Sequence, residues 1–426
     1  MDTNGIDYLT YLFDVCDIPP EDLPYLGILK AVLGYVDTDD HSYAALANEI
    51  NMYTGGIGSS IGIYPNVKKQ GEIGLYYEVR TKVLASRLPD AMRLIKEILL
   101  TSHLTDEKRI YEILAQLKSR LQAGLSASGH SVAYTRALSY FSTAAYCQDA
   151  TAGIACYRVI ADYEEHFEEK KQQLMEKLSF LVKTIFTAER MLVSATCEET
   201  ETRVVTQASA ALKNVLYVPE QPGKKRSMPT YPLAKKNEGF MDASQVQYVA
   251  RAGNYVAHGF SYHGALRILK VILGYDYLWI NVRVKGGAYG CMNGYMRNGD
   301  AYFVSYRDPN LSATNEIYDG IPAYLEKFDA DEREMTGYII GTISDMDTPM
   351  NPSAKGARSM TAYLQELDYE TLSKERSQII GAQPADIRAL KPLIASVLSD
   401  GSLCVIGNED VLTSEKQMFE TLESLT

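Results

Sequence analysis

Two hydrophobic periods share the first half of the chain. Residues 8–15, 58–65 and 71–84 set apolar or aromatic side chains at alternate positions, most clearly in Leu75-Tyr76-Tyr77-Glu78-Val79-Arg80-Thr81. A period of two predicts strands. Residues 23–35, 43–53, 88–102, 106–126 and 164–186 repeat every three to four positions instead, with Leu114, Leu117, Leu121 and Leu125 on one face. That period predicts amphipathic helices. Thr105-Asp106-Glu107-Lys108 suits an N-cap followed by a first-turn carboxylate, and 190–197 closes the half as a further strand. Strands joined through hairpins, with helices gathered separately, predict an α+β unit in which an antiparallel sheet is packed on one face by helices.

The pattern then recurs. Ile28-Leu29-Lys30-Ala31-Val32-Leu33-Gly34-Tyr35 returns as Ile268-Leu269-Lys270-Val271-Ile272-Leu273-Gly274-Tyr275, with six of eight positions identical at an offset of 240. A tyrosine-bearing strand precedes each copy, an acidic helix start follows each (105–108 and 329–332), and an apolar strand ends each half (190–197 and 402–407). The shared order of landmarks predicts duplication. Residues 218–232 hold four prolines and Lys224-Lys225-Arg226, a composition that resists helix and central strand and reads as a solvated linker. Two domains are expected, 1–217 and 233–426.

Composition narrows the function. The 426 residues carry 42 basic and 54 acidic side chains, net −12, without a basic stripe. That balance disfavours nucleic acid and anionic lipid as partners. No apolar run reaches the roughly 18 residues that a membrane span needs, and Met1-Asp2-Thr3-Asn4 does not begin a signal peptide. The six cysteines are scattered without a CxxC, as expected for reduced thiols in a cytosol, either a bacterial cytoplasm or an organelle matrix.

Six histidines are present, but neither HExxH nor HxxEH occurs, nor a GxSxG, Walker or GxGxxG motif. Asp39-Asp40-His41 reads as a solvated turn. The most unusual segment is Leu278-Trp279-Ile280-Asn281-Val282-Arg283-Val284-Lys285-Gly286-Gly287-Ala288-Tyr289-Gly290. Arg283 brings a planar fork of donors, Tyr289 a hydroxyl able to meet developing negative charge, and the glycines allow close approach. Its plain reading is a glycine-rich turn into a strand. Tyr306-Arg307-Asp308-Pro309-Asn310 reads as a turn and cap, and 340–347 as a helix-to-helix corner.

Together, 278–290, Tyr306 to Asn310, 340–347 with Lys355-Gly356, and Thr3-Asn4-Gly5-Ile6 resemble the C-terminal half of the presequence-protease branch of the pitrilysin/insulin-degrading metallopeptidases, peptidase family M16, subfamily C. The resemblance spans nearly the whole chain. It implies an enzyme of two halves, each of two similar α+β domains, closing around peptide. The chain would supply the third and fourth domains. Zn2+ would sit in the complementary N-terminal half on HxxEH, and no cofactor in this chain. The zinc helix aligns with Leu26, Leu29 and Lys30, which cannot ligate the metal. Arg283 and Tyr289 would reach toward the zinc site as catalytic assistants, with Lys285, Gly286 and Gly287 shaping a substrate-binding loop. Expected partners are the zinc-bearing half, on the same polypeptide or a separate subunit, and short unstructured peptides. A standalone, non-catalytic peptide-binding or scaffold protein of the same fold is the alternative, and an unrelated hydrolase lacks a visible nucleophile–base pair.

Overall fold

The computed structural model describes residues 1–219, 223 and 226–426. Asn4 and Gly5 turn at positive φ (53° and 71°) and deliver the chain into strand β1 (Ile6–Asp14). β1 lies between β3 (Ile73–Leu84) and β4 (Met191–Thr196), with β2 (Ile57–Pro65) outside β3, and all three pairings are antiparallel. The register places Leu9, Tyr11 and Phe13 opposite Thr81, Val79 and Tyr77. All of these but Thr81 enter one core with the helices Leu23–Val32, Leu88–Leu100 and Thr202–Lys213. Phe186 closes it, edge-on to Phe13 and Tyr77 at 5.0 and 5.3 Å between ring centroids. Alternate β3 residues Arg80, Lys82 and Leu84 stand on the opposite, exposed face.

The helix expected over 164–186 is two helices, Ile154–Glu165 and Phe167–Ile185. The axis breaks at His166, after which Phe167 enters the core. Of the proline-rich stretch, 220–222 and 224–225 lie outside the described residues. Near its end, Tyr231 is buried and meets Tyr146 edge-on at 5.5 Å, so this part packs on the first core rather than lying in solvent.

The second sheet has β5 (Asn237–Asp242), β6 (Tyr248–Asn254), β7 (Gly290–Tyr295), β8 (Asp300–Tyr306), β9 (Ser402–Asn408) and β10 (Thr421–Ser424), in the order β10-β5-β9-β6-β8-β7. The β9–β6–β8–β7 pairings are antiparallel, and β5 and β10 extend that sheet by parallel pairing. The central strands β6 and β9 are buried nearly throughout, as strands covered on both faces are. Helices Ala265–Ile272 and Lys391–Ser399 contribute to the core on one face. The other face takes a helix from the first half, Gly129–Ser139, whose Ala133, Ala137 and Leu138 pack with Tyr248, Ala250, Val304, Cys404 and Ile406. Arg136 on that helix bridges Asp149 (2.7 Å) and Glu238 (2.6 Å), and the Tyr140 hydroxyl donates to Glu238 (2.8 Å). The two sheets are thereby tied by shared apolar surface and by a buried ion pair.

Candidate functional site

The segment that carries Arg283 is helical, not a turn. Helix Ala265–Ile272 runs on through two wide, π-helical stretches, Leu273–Tyr277 and Trp279–Lys285. Leu278 and Val282 are fully buried and hold this extension on the core. Wide turns of this kind recur at functional sites because they re-aim side chains without breaking the helix. Here Trp279 and Arg283 become stacking neighbours, with the guanidinium carbon 4.0 Å from the indole centroid.

The helix ends at the glycines. Gly287 has φ +83°, and its N–H donates to the Arg283 carbonyl (2.9 Å), while the Ala288 N–H reaches the Val282 carbonyl (3.1 Å). A Cβ on Gly286 would lie 2.6 Å from the Val282 oxygen, so that position excludes a side chain. Asn310 Nδ2 donates to the Gly286 carbonyl (2.6 Å), and Asp308, fully buried, accepts from the Asn310 N–H (2.9 Å) and the Thr314 hydroxyl (2.7 Å). Burial pushes the Asp308 carboxyl up from its usual range, against those donors. The island read as a turn and cap is thus also the bracket that fixes the glycine turn.

Tyr289 comes directly after. Its N–H donates to the Tyr306 and Arg307 carbonyls (3.0 and 3.2 Å), which aligns it at the head of β7. Its side chain is 66% exposed, and its ring lies 5.6 Å from the Arg283 guanidinium and 6.0 Å from the Tyr306 ring. Arg283 therefore sits between Trp279 and Tyr289. Among the described residues, neither the guanidinium nor the Tyr289 hydroxyl has a hydrogen-bond partner, so both present free donors. At Cys291, two residues on, burial pushes the thiol up to about 11 despite the nearby Arg283, which disfavours the thiolate form.

The structure brings Arg283 and Tyr289 together and leaves Lys285 apart. Lys285 is exposed and reaches back to Asn281 Oδ1 (3.4 Å). Gly286 and Gly287 shape the helix end. Sequence reasoning missed Trp279 and Asn310; Trp279 is the only tryptophan and precedes Arg283 by four residues, a signal that was present in the chain.

A zinc ion does not fit the corresponding helix of the first half. Leu26 and Leu29 are fully buried there, and Lys30 donates to the Thr151 carbonyl (3.1 Å). Burial holds the Lys30 ammonium below its usual range. Among the described residues, no group of three or more His, Cys, Asp or Glu side chains is placed to hold a metal, and no helix is long and apolar enough to cross a membrane.

Comparison with known families gives two matches in series. The family described as peptidase M16C associated matches residues 1–162, and the PreP C-terminal domain matches 237–409. The chain belongs to the presequence-protease branch of the M16C peptidases. It corresponds to the C-terminal half of such a peptidase. Protein HypA of Clostridium perfringens is 38% identical over 99% of the chain and 43% of its own length. The chloroplastic/mitochondrial presequence protease 1 of Arabidopsis thaliana is 28% identical over 99% of the chain and 39% of its own length. The chain thus spans about two fifths of the curated relatives it matches. A protease from Helicobacter pylori shares the fold, with a TM-score of 0.67 over 95% of this chain and 94% of that one at 13% identity.

Proposed function

We propose that this M16C half is the non-zinc side of a zinc endopeptidase for short, unstructured peptides. The complementary half, on the same polypeptide or a separate subunit, would hold the metal that activates water. This chain would supply Arg283 and Tyr289. The observation that carries the reading is the Arg283 guanidinium held between Trp279 and Tyr289, with donors unengaged on an exposed helix end.

Each residue has a distinct task. The Arg283 fork would hold a backbone carbonyl of the bound peptide through two parallel N–H bonds. The Tyr289 hydroxyl would donate to the scissile carbonyl oxygen as negative charge gathers there, an interaction stronger in the transition state than in the bound substrate. Lys285 and the glycine turn would border the peptide. Residues 1–217 and 233–426 would be two copies of one domain, the third and fourth of the complete enzyme. The six free cysteines suit a reducing compartment such as a bacterial cytoplasm.

Mixing the chain with its zinc-bearing half and assaying a quenched fluorescent peptide tests the reading. Cleavage that requires both halves and stops with a chelator is expected. Full cleavage by the zinc-bearing half without this chain would reject it.

A further inference from the structure

The two sheets differ on the face away from their main helices. In the second sheet that face is covered by helix Gly129–Ser139. In the first it is only partly covered. A cleft of about 1070 Å³ lies between the exposed face of β1, β2 and β3 and helix Pro352–Leu364, which roofs it from the second half. At the β4 side the roof is tight, because Gly356 packs so closely on Thr196 that a Cβ would overlap the hydroxyl. Toward β2 it is roomy: a Cβ built on Gly56 or Gly58 meets no atom within 4 Å.

The lining has a decided sign. Arg80, Lys82 and Arg87 contribute to the wall, and no Asp or Glu does. This occurs in a chain of net charge −12. Glu78, the carboxylate nearest Arg80, has a fully buried side chain that accepts from Ser60 (2.9 Å), from Tyr64 and from Arg80 itself. It lies on the same face of β3 as Arg80, beneath the cleft surface, and offsets part of the Arg80 charge. Arg87 stands over the Tyr53 ring (5.4 Å) with Asp90 a loose 3.6 Å away. Lys82 has no ion-pair partner among the described residues. A concave wall whose ionised side chains are of one sign concentrates ligands of the opposite sign.

The floor adds direction. Arg80 and Lys82 are two apart on β3 and share a face. Alternate residues of an extended peptide have the same spacing, about 6.6–6.8 Å. We propose that this cleft is a docking site for an extended acidic peptide segment, its alternating side-chain carboxylates meeting Arg80 and Lys82, with Arg87 at the rim. The peptide class rests on the peptidase reading above; the charge and the spacing do not.

The test is fluorescence anisotropy on the 426-residue chain. The probe is a dye-labelled octapeptide alternating Glu and Thr, acetylated and amidated at its ends, compared with its Gln–Thr counterpart. The acidic probe should bind about tenfold or more tighter, and salt should weaken it. Lys82→Glu should lose about tenfold or more, and Lys82→Gln less, both with unchanged circular dichroism. Arg283→Lys should bind the probe as the parent does, which separates this site from the cleavage assay. Equal binding of the two probes, or parental binding by Lys82→Glu, would overturn the proposal. So would binding of an otherwise identical acidic probe left with a free C-terminal carboxylate but not of the amidated one, since that assigns the cleft to chain ends.

Discussion

Residues 28–35 and 268–275 are nearly the same sequence with different fates. Both start as helix. The first stops at Val32, and Gly34 turns at φ +85°. The second passes through Gly274 without a break and continues in wide turns to Lys285. The cause lies downstream of each copy. After Gly34, Asp37 captures the Tyr43 N–H (2.7 Å) and Thr38 the His41 N–H (3.0 Å), so side chains replace the helix as backbone partners. After Gly274, Leu278 and Val282 are fully buried, and the core holds the helix open. The repeated lysine diverges too: Lys30 is drawn in to the Thr151 carbonyl, whereas Lys270 is exposed. One seed thus gives a closed corner in one half and a projecting arginine in the other, according to the residues that come after it.

Breaking the apolar anchor should have the largest effect. Leu278→Ala should cost about 2–5 kcal/mol in urea denaturation. It should also shift the emission of Trp279, the only tryptophan. Val36→Ala, in the first half, should cost stability while leaving that emission alone.

Next comes the ion pair behind the second helix. The buried Glu375 carboxylate accepts from Arg297 (2.5 and 3.1 Å), Tyr262 (3.1 Å) and Arg267. Burial works to raise its pKa, but Arg297 and Arg267 outweigh it and hold the group below the usual carboxylate range. A lowered folded pKa contributes stability that is fully present above the unfolded value, about 4.3, and is lost as pH falls through the folded value. Glu375→Gln should cost about 3 kcal/mol at pH 7. Acid titration of the parent should show a loss below about pH 4.3 that the variant lacks.

The glycines sharpen the contrast by sign. Gly34→Ala should destabilise by roughly 1–2 kcal/mol, because alanine resists positive φ. Gly274→Ala should stabilise by up to about 1 kcal/mol, since it is helical and the nearest atom to an added Cβ is 3.9 Å away. Equal effects in thermal melts would remove the comparison. Smallest is Trp279→Leu, which removes the indole under Arg283. It should weaken transition-state binding by about 0.5–1 kcal/mol, read as a few-fold fall in kcat/KM of the reconstituted enzyme.

Alternation made β1, β2 and β3 readable, since every second residue of each faces one core. β10 was not readable: Thr421–Ser424 is four largely exposed residues with no apolar rhythm, paired parallel to a strand some 180 positions earlier. That Arg283 and Tyr289 belong together was an expectation from the resemblance, and the structure sets the guanidinium 5.6 Å from the tyrosine ring. The helical setting of Arg283 was not legible, because Trp279–Lys285 includes three β-branched residues and two glycines come after it, a local preference that buried Leu278 and Val282 override. The bracket from Asn310 to Gly286 joins residues 24 apart and leaves no local trace.

The most direct test of the central claim is steady-state kinetics of the two halves mixed, with Tyr289→Phe compared with parent at equal folded fraction. Loss of one donor to the charged oxygen should lower kcat by about 10²–10³ with a smaller change in KM. A parental kcat/KM would contradict the assignment and leave Tyr289 as the head of an edge strand.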